Sequence, residues 1–189
     1  TWLSARSTLR LIDNYTSLVY NGSPSSLPPV RTLLRSYLTT SRLNLPNLQL
    51  THFERLSRSE YFSIYGGYLE YGYAGVGAEY LYRPWHAPFA LGVDINHVRQ
   101  RGFKQDFALR DYSVNTGHLT LYWDTGWRDT RVKLMTGQYL ARDRGFTLDV
   151  SRTFPNGVTL GAYATKTNVS AAEFGEGSFD KGLIIRVPF

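Results

Sequence analysis

The feature that most limits what this chain can fold into is a two-residue alternation that recurs along nearly its whole length. Phe89, Leu91, Val93 and Ile95 alternate with Ala90, Gly92, Asp94 and Asn96, and Leu119, Leu121 and Trp123 alternate with His118, Thr120, Tyr122 and Asp124. Extended backbone sends successive side chains to opposite faces, so each run specifies a strand with one apolar and one polar side. The rhythm recurs at Leu48 and Leu50; at Phe62, Ile64 and Tyr68; and at Val76, Ala78, Tyr80 and Tyr82. Later it returns at Val132 and Leu134, at Phe146, Leu148 and Val150, and at Val158, Leu160, Ala162 and Ala164. The chain ends the same way, with Leu183, Ile185, Val187 and Phe189 spaced two apart. With a poorer strand over 30–40, about ten strands are expected, each near the ~9 to 11 residues that a tilted membrane strand needs.

Composition then narrows the class. The 189 residues suit one domain with a sizeable core, and 14 Tyr and 17 Gly favour strands and turns over helices. With no cysteine, neither a disulfide framework nor a Cys-based zinc site can form. No apolar run approaches the ~18 to 20 residues of a membrane helix, and mean hydropathy is negative. A transmembrane barrel escapes both tests, because its lipid-facing and lumen-facing residues alternate and average out. The net charge of +6 comes from scattered Lys and Arg, with no basic stripe and no aromatic RNA-binding signature, so nucleic acid is not expected as a partner.

The connectors carry a second regularity. RLSRSE, RPWHAP, DTGWRD and FPNG are short and rich in turn residues, whereas RGFKQDFALRDYSVNTG and the stretch 168–178 are long, beside the tighter YGYAG and ARDRG. Short turns at one rim and longer loops at the other are how outer-membrane barrels are built. The fold class expected is therefore all-β: an antiparallel transmembrane β-barrel of about ten to twelve strands, or the larger part of one. Residues 1–29 stand outside the rhythm and are expected to be an irregular leader or the end of a preceding domain, with the barrel over 30–189. No signal peptide is recognisable at the start, so the chain reads as mature or as the later part of a longer product.

Candidate chemistry is sparse. His52, His86, His97 and His118 show no metal-ligand spacing, and no metal or cofactor is expected. A Ser/His/Asp set can be assembled only from His118 with Asp124, Asp149 or Ser151, and no glycine-flanked serine supports it. Glu173 with Glu176, and Asp106 with Asp111, read as solvated loop acids before they read as glycosidase carboxylates. The glycines of GYLEYGYAGVGAE precede no helix and no GK[ST], so close packing inside a barrel explains them better than a phosphate cradle. No catalytic residue is assigned.

Several stretches carry a resemblance: GGYLEYGYAGVGAEYLYRP, GVDINHVRQRGF, DYSVNTGHLTLYW, GQYLARDRGFTLDVSRTFPNGVTLGAYATKTNVS and FGEGSFDKG. From about Leu48 to Phe189 the chain resembles the YjbH/GfcD-like outer-membrane proteins encoded with exopolysaccharide and capsule secretion genes of Gram-negative bacteria. The resemblance implies an outer-membrane barrel that exports or assembles an exopolysaccharide, together with lipoprotein and periplasmic partners. It also implies that 189 residues are a C-terminal portion, and it supplies no catalytic residues. The expected role is then a conduit or docking wall without enzyme activity. The alternatives are a general porin, a lipase-like barrel enzyme, or a soluble sugar-binding barrel or sandwich.

Under the barrel reading Leu183, Ile185, Val187 and Phe189 face lipid and serve as the C-terminal signal for the barrel assembly machinery. The residues expected to face the lumen and touch polymer are Glu79, Arg83, Asp94, Asn96, His118, Tyr122, Asp124, Arg131, Lys133, Tyr139, Asp149, Tyr163 and Arg186. Such a wall offers tyrosine rings and charges of both signs, suited to many weak contacts with a sugar chain. Its bland counterpart is a narrow lumen filled by opposite charges that pair with each other.

Overall fold

Each strand of the chain lies beside its sequence neighbours in a single antiparallel sheet, as the computed structural model shows for residues 1–17, 27–30, 33–170, 173 and 179–188. The ten strands are β1 (Trp2–Leu9), β2 (Leu43–Arg55), β3 (Glu60–Tyr68), β4 (Tyr73–Tyr82) and β5 (Phe89–Arg101), then β6 (Leu109–Asp124), β7 (Thr130–Gln138), β8 (Arg144–Thr153), β9 (Thr159–Thr167) and β10 (Asp180–Arg186). Among the described residues between β1 and β2 lie a 3-10 turn at Tyr15–Ser17 and a short helix, α1 (Leu34–Thr39). No helix among the described residues is long and apolar enough to cross a membrane.

Among the described residues β1 and β10 are the two edges of the sheet and do not pair with each other, so the closed barrel expected from the sequence is not formed. Alternation fixes which face a side chain takes. It carries no information on strand number and shear, which decide whether the last strand meets the first. The sheet nonetheless curls, because one cavity is lined by residues from the β3–β4 turn, from β5 through β9, and from the start of β10.

Three segments depart from the sequence reading. The stretch over 30–40, expected as a poor strand, contains α1: Leu34, Tyr37 and Leu38 are spaced three and four apart, and a six-residue element is too short for periodicity to distinguish the two conformations. Residues 2–9, set apart as leader, form β1 and pair with β2 from Trp2↔Thr51 to Leu9↔Leu43. The long connector RGFKQDFALRDYSVNTG is also shorter than it reads. Its second half is the start of β6, and Arg101 pairs with Leu109 across the hairpin. The Tyr112 hydroxyl donates to the Leu140 carbonyl at 2.5 Å, which braces this overhang against the β7–β8 turn.

The packed core gathers at the rim where β1–β2, β3–β4, β5–β6 and β7–β8 connect. Tyr73, Val98 and Val114 are buried together, and Val30, Leu69, Tyr112 and Leu140 pack on them. Tyr37 of α1 is buried with its ring edge-on to Phe103 at 4.9 Å, and its hydroxyl donates to the Arg101 carbonyl at 2.8 Å. Gln100 donates to the Pro29 carbonyl at 3.1 Å. Residues 27–30 and α1, described parts of the β1–β2 connection, therefore fold over this rim and cover one end of the inner face. Tyr68, grouped by parity with Phe62 and Ile64, is instead buried: Gly67 has φ +127° just before it, and the Arg101 guanidinium lies 3.8 Å from its ring centroid.

Candidate functional site: the concave face

Register places the candidate residues in cross-strand rows on one face. One row runs Phe53, Ser63, Glu79, Asp94, His118; the next runs Tyr122, Lys133, Asp149, Tyr163; a third runs Asp124, Arg131, Ser151. Arg186 pairs with Thr159 on the same side, and Arg83 occupies the β4–β5 turn. Directly opposed residues of an antiparallel pair project to the same face, so these rows share one surface.

That surface is concave and holds two cavities. The first, about 1360 Å³ at the covered rim, is lined by Asn96, His118, Tyr139 and Tyr163, with Leu27 to Val30, Leu69 and Val98. The second, about 1260 Å³ at the short-turn rim, is lined by Glu79, Arg83, Tyr122, Asp124, Arg131, Lys133, Asp149 and Arg186. Of the residues expected to face the lumen, Asp94 alone lines neither, and it touches His118. Arg131, Lys133 and Asp149 make no ion pair among the described residues. The Lys133 ammonium instead lies 5.8 Å from the Tyr122 ring centroid.

The centre of the face is a connected polar cluster. The Tyr65 hydroxyl donates to Asn96 Oδ1 at 2.7 Å, Asn96 Nδ2 donates to Asp94 Oδ2 at 3.0 Å, and His118 Nδ1 is 3.1 Å from the same oxygen. Tyr65 reaches Asn96 across β4 because Gly77 intervenes; a Cβ there would stand 2.6 Å from the Tyr65 ring. The Tyr139 ring lies 5.0 Å from that of His118, and its hydroxyl shares a hydrogen bond of 2.7 Å with Thr147 Oγ1.

This geometry corrects the nucleophile set assembled from sequence. The partner of His118 is Asp94, with neither Asp124 nor Asp149 in that place, and Ser151 lies opposite Arg131. Alternation had put Asp94 and His118 on one face; only strand register could show them directly opposed. The acidic loop pairs are spent locally. Asp106 accepts from the Ala108 amide, Asp111 faces Arg99 at 3.8 Å, and Glu173 accepts from the Ser170 amide and hydroxyl, while Glu176 lies outside the described residues.

The opposite, convex face is a belt of exposed apolar side chains. Leu91, Leu121, Leu134 and Leu148 form one cross-strand row, Val93 and Leu119 another, and Phe89, Trp123, Val132 and Val150 a third. Ile95 is 64% exposed and Leu119 is 51% exposed, figures far outside a packed core. Leu183, Ile185 and Val187 continue the belt onto and just past the last strand, and Phe189 lies outside the described residues.

Fold and site together define a class: an antiparallel all-β sheet with an apolar convex face and a polar, cavity-bearing concave face. The chain belongs to the family described as exopolysaccharide biosynthesis protein YbjH, whose YjbH family model matches residues 1–189, and so reaches past the Leu48–Phe189 stretch that carries the motifs. It is 46% identical over 184 residues to a protein of Escherichia coli strain K12 described as the uncharacterized lipoprotein YjbH, a match covering 94% of this chain. The chain spans 26% of the length of that relative. No solved structure matches it.

Proposed function

We propose that the chain forms the wall of an outer-membrane β-barrel that serves exopolysaccharide secretion, as a conduit or docking surface and without enzyme activity. The convex belt faces lipid, and the concave rows face the polymer. The observation that carries this reading is the pairing of opposites on one sheet: a continuous exposed apolar surface behind a cavity whose Arg131, Lys133 and Asp149 form no ion pairs among the described residues. An exposed apolar patch of this extent in a polar solvent marks an interaction surface, and a bilayer matches its banded shape. Charges left unpaired along a cavity are available to sugar hydroxyls and carboxylates, unlike charges that neutralise each other in a filled lumen.

Under this reading the edges β1 and β10 close on each other or on strands from the rest of a longer polypeptide, since hydrocarbon cannot hydrate an open ladder. The barrel assembly machinery reads the terminal strand, and the export partners are lipoprotein and periplasmic proteins, in keeping with the lipoprotein description of the relative. The test is a triple substitution of Arg131, Lys133 and Tyr139 by alanine in the full-length protein. Lowered polymer secretion with normal membrane assembly is expected. Wild-type secretion from a correctly assembled variant would leave the chain a structural element with no path along its inner face.

A further inference from the structure

The inner face carries aromatic rings where its neighbours are polar. Trp2, Phe53 and Tyr61 form a row at the β1 side of the sheet, with ring centroids 6.5 Å and 6.1 Å apart and planes tilted by 39° and 29°. Register fixes the face: Trp2 is opposed to Thr51 and so shares the row of Tyr65 and Asn96, while Phe53 shares the row of Ser63, Glu79, Asp94 and His118. Trp2 is 52% exposed and Phe53 47% exposed. Tyr61 leads directly into the short-turn cavity. Around that cavity the cations Arg58, Arg83, Arg131, Lys133 and Arg186 outnumber the carboxylates Glu79, Asp124 and Asp149, and Arg55 stands 5.9 Å from the Tyr61 ring.

Rings exposed among polar groups are costly in water, and they suit a ligand that is apolar on one side and hydroxylated at its rim. A pyranose is such a ligand: its axial C–H groups present a weakly positive face to the negative face of an aromatic ring. Three rings in series, 6.5 Å and 6.1 Å apart with planes tilted to one another, offer successive units of a chain a repeated support. The cationic excess next to the row adds a preference for carboxylate.

We propose that Trp2, Phe53 and Tyr61 are a stacking track for the pyranose rings of an acidic polysaccharide, whose carboxylates are taken by the cations of the adjoining cavity. This inference rests on the polymer-handling reading above and names its substrate class. The track guides by shallow contact, and the weakness of each contact lets the chain move on.

The test uses full-length protein in detergent, with a uronic-acid oligosaccharide and a neutral glucan oligosaccharide of equal length as probes, read by calorimetry. Wild-type protein is expected to bind the acidic probe, less tightly as salt rises. Trp2→Ala with Phe53→Ala should weaken it at least tenfold, while Trp2→Phe with Phe53→Tyr keeps both assembly and binding. If the alanine pair binds as wild type while Arg131→Ala with Lys133→Ala weakens binding, the track is overturned and the polymer-handling reading stands. Equal, salt-independent binding of both probes would overturn the acidic preference. A row sealed by the remainder of the polypeptide would give no acrylamide quenching at Trp2, measured as the difference between wild type and Trp2→Phe, and this too overturns the track. Wild-type protein that takes neither probe overturns both readings.

Discussion

Gly77 shows how much of the concave face depends on what a residue lacks. The Tyr65 side chain crosses β4 over Gly77 to reach Asn96, and through Asn96 it joins Asp94 and His118. A methyl group at that position would drive into the Tyr65 ring and the Asn96 amide, so Gly77→Ala must displace both or deform the strand. We expect a loss of about 1 to 3 kcal/mol in urea unfolding, with the neighbouring Ala78→Gly change costing less because Ala78 projects to the other face. Equal costs at the two positions would contradict the Tyr65–Asn96 bridge. Sequence made Gly77 a small residue in a strand interior, which reads as close packing. It did not show that a tyrosine two strands from its acceptor needed the space.

At the scale of elements, α1 and β1 are the parts that sequence pattern read poorly, and for different reasons. A six-residue helix holds fewer than two turns, so its apolar spacing is compatible with either conformation; what fixes it is the burial of Tyr37 against Phe103 and the Arg101 carbonyl, a partner far along the chain. β1 has Trp2, Ser4 and Arg6 on one face and Leu3 and Ala5 on the other, an alternation too weak to see before β2 supplies its pairing. The alternating strands β5, β8 and β9 were legible because six to eight consecutive residues repeat one pattern beside clear turns. Tyr37 also gives the docking of α1 a pH signature. Burial raises its phenol above the ordinary tyrosine range, partly offset by the nearby Arg110, so the neutral hydroxyl is the form the fold favours. A group raised in the folded state contributes stability below its unfolded value of about 10, and that contribution is lost as pH rises through the folded value. Tyr37→Phe should therefore cost about 1 to 3 kcal/mol at pH 7 by orphaning the Arg101 carbonyl, and should flatten the fall in stability above about pH 10. An alkaline limb as steep in the variant as in the wild type would contradict the assignment.

For the whole molecule, two-faced character is the property that sequence conveyed and structure extended. Parity along each strand separated Leu91, Leu121, Leu134 and Leu148 from Tyr122, Lys133 and Asp149 before any pairing was known; register then joined them into rows, and curvature turned one side into cavities. Whether the sheet edges meet, and that Trp2, Phe53 and Tyr61 stand in one row, were illegible because both depend on which strands pair, a long-range fact that local alternation does not encode. The central claim is that the convex face meets lipid while the concave face meets water and polymer. These 189 residues contain no cysteine, so once any thiol elsewhere in the full-length protein is replaced, a single one introduced here reports its own surroundings. In the full-length protein in intact outer membranes, Asp149→Cys and Ser151→Cys should react with a charged, membrane-impermeant thiol reagent, whereas Leu148→Cys and Val150→Cys, their neighbours on β8, should react only with a lipid-soluble one. Equal reaction of all four positions with the charged reagent would contradict the account.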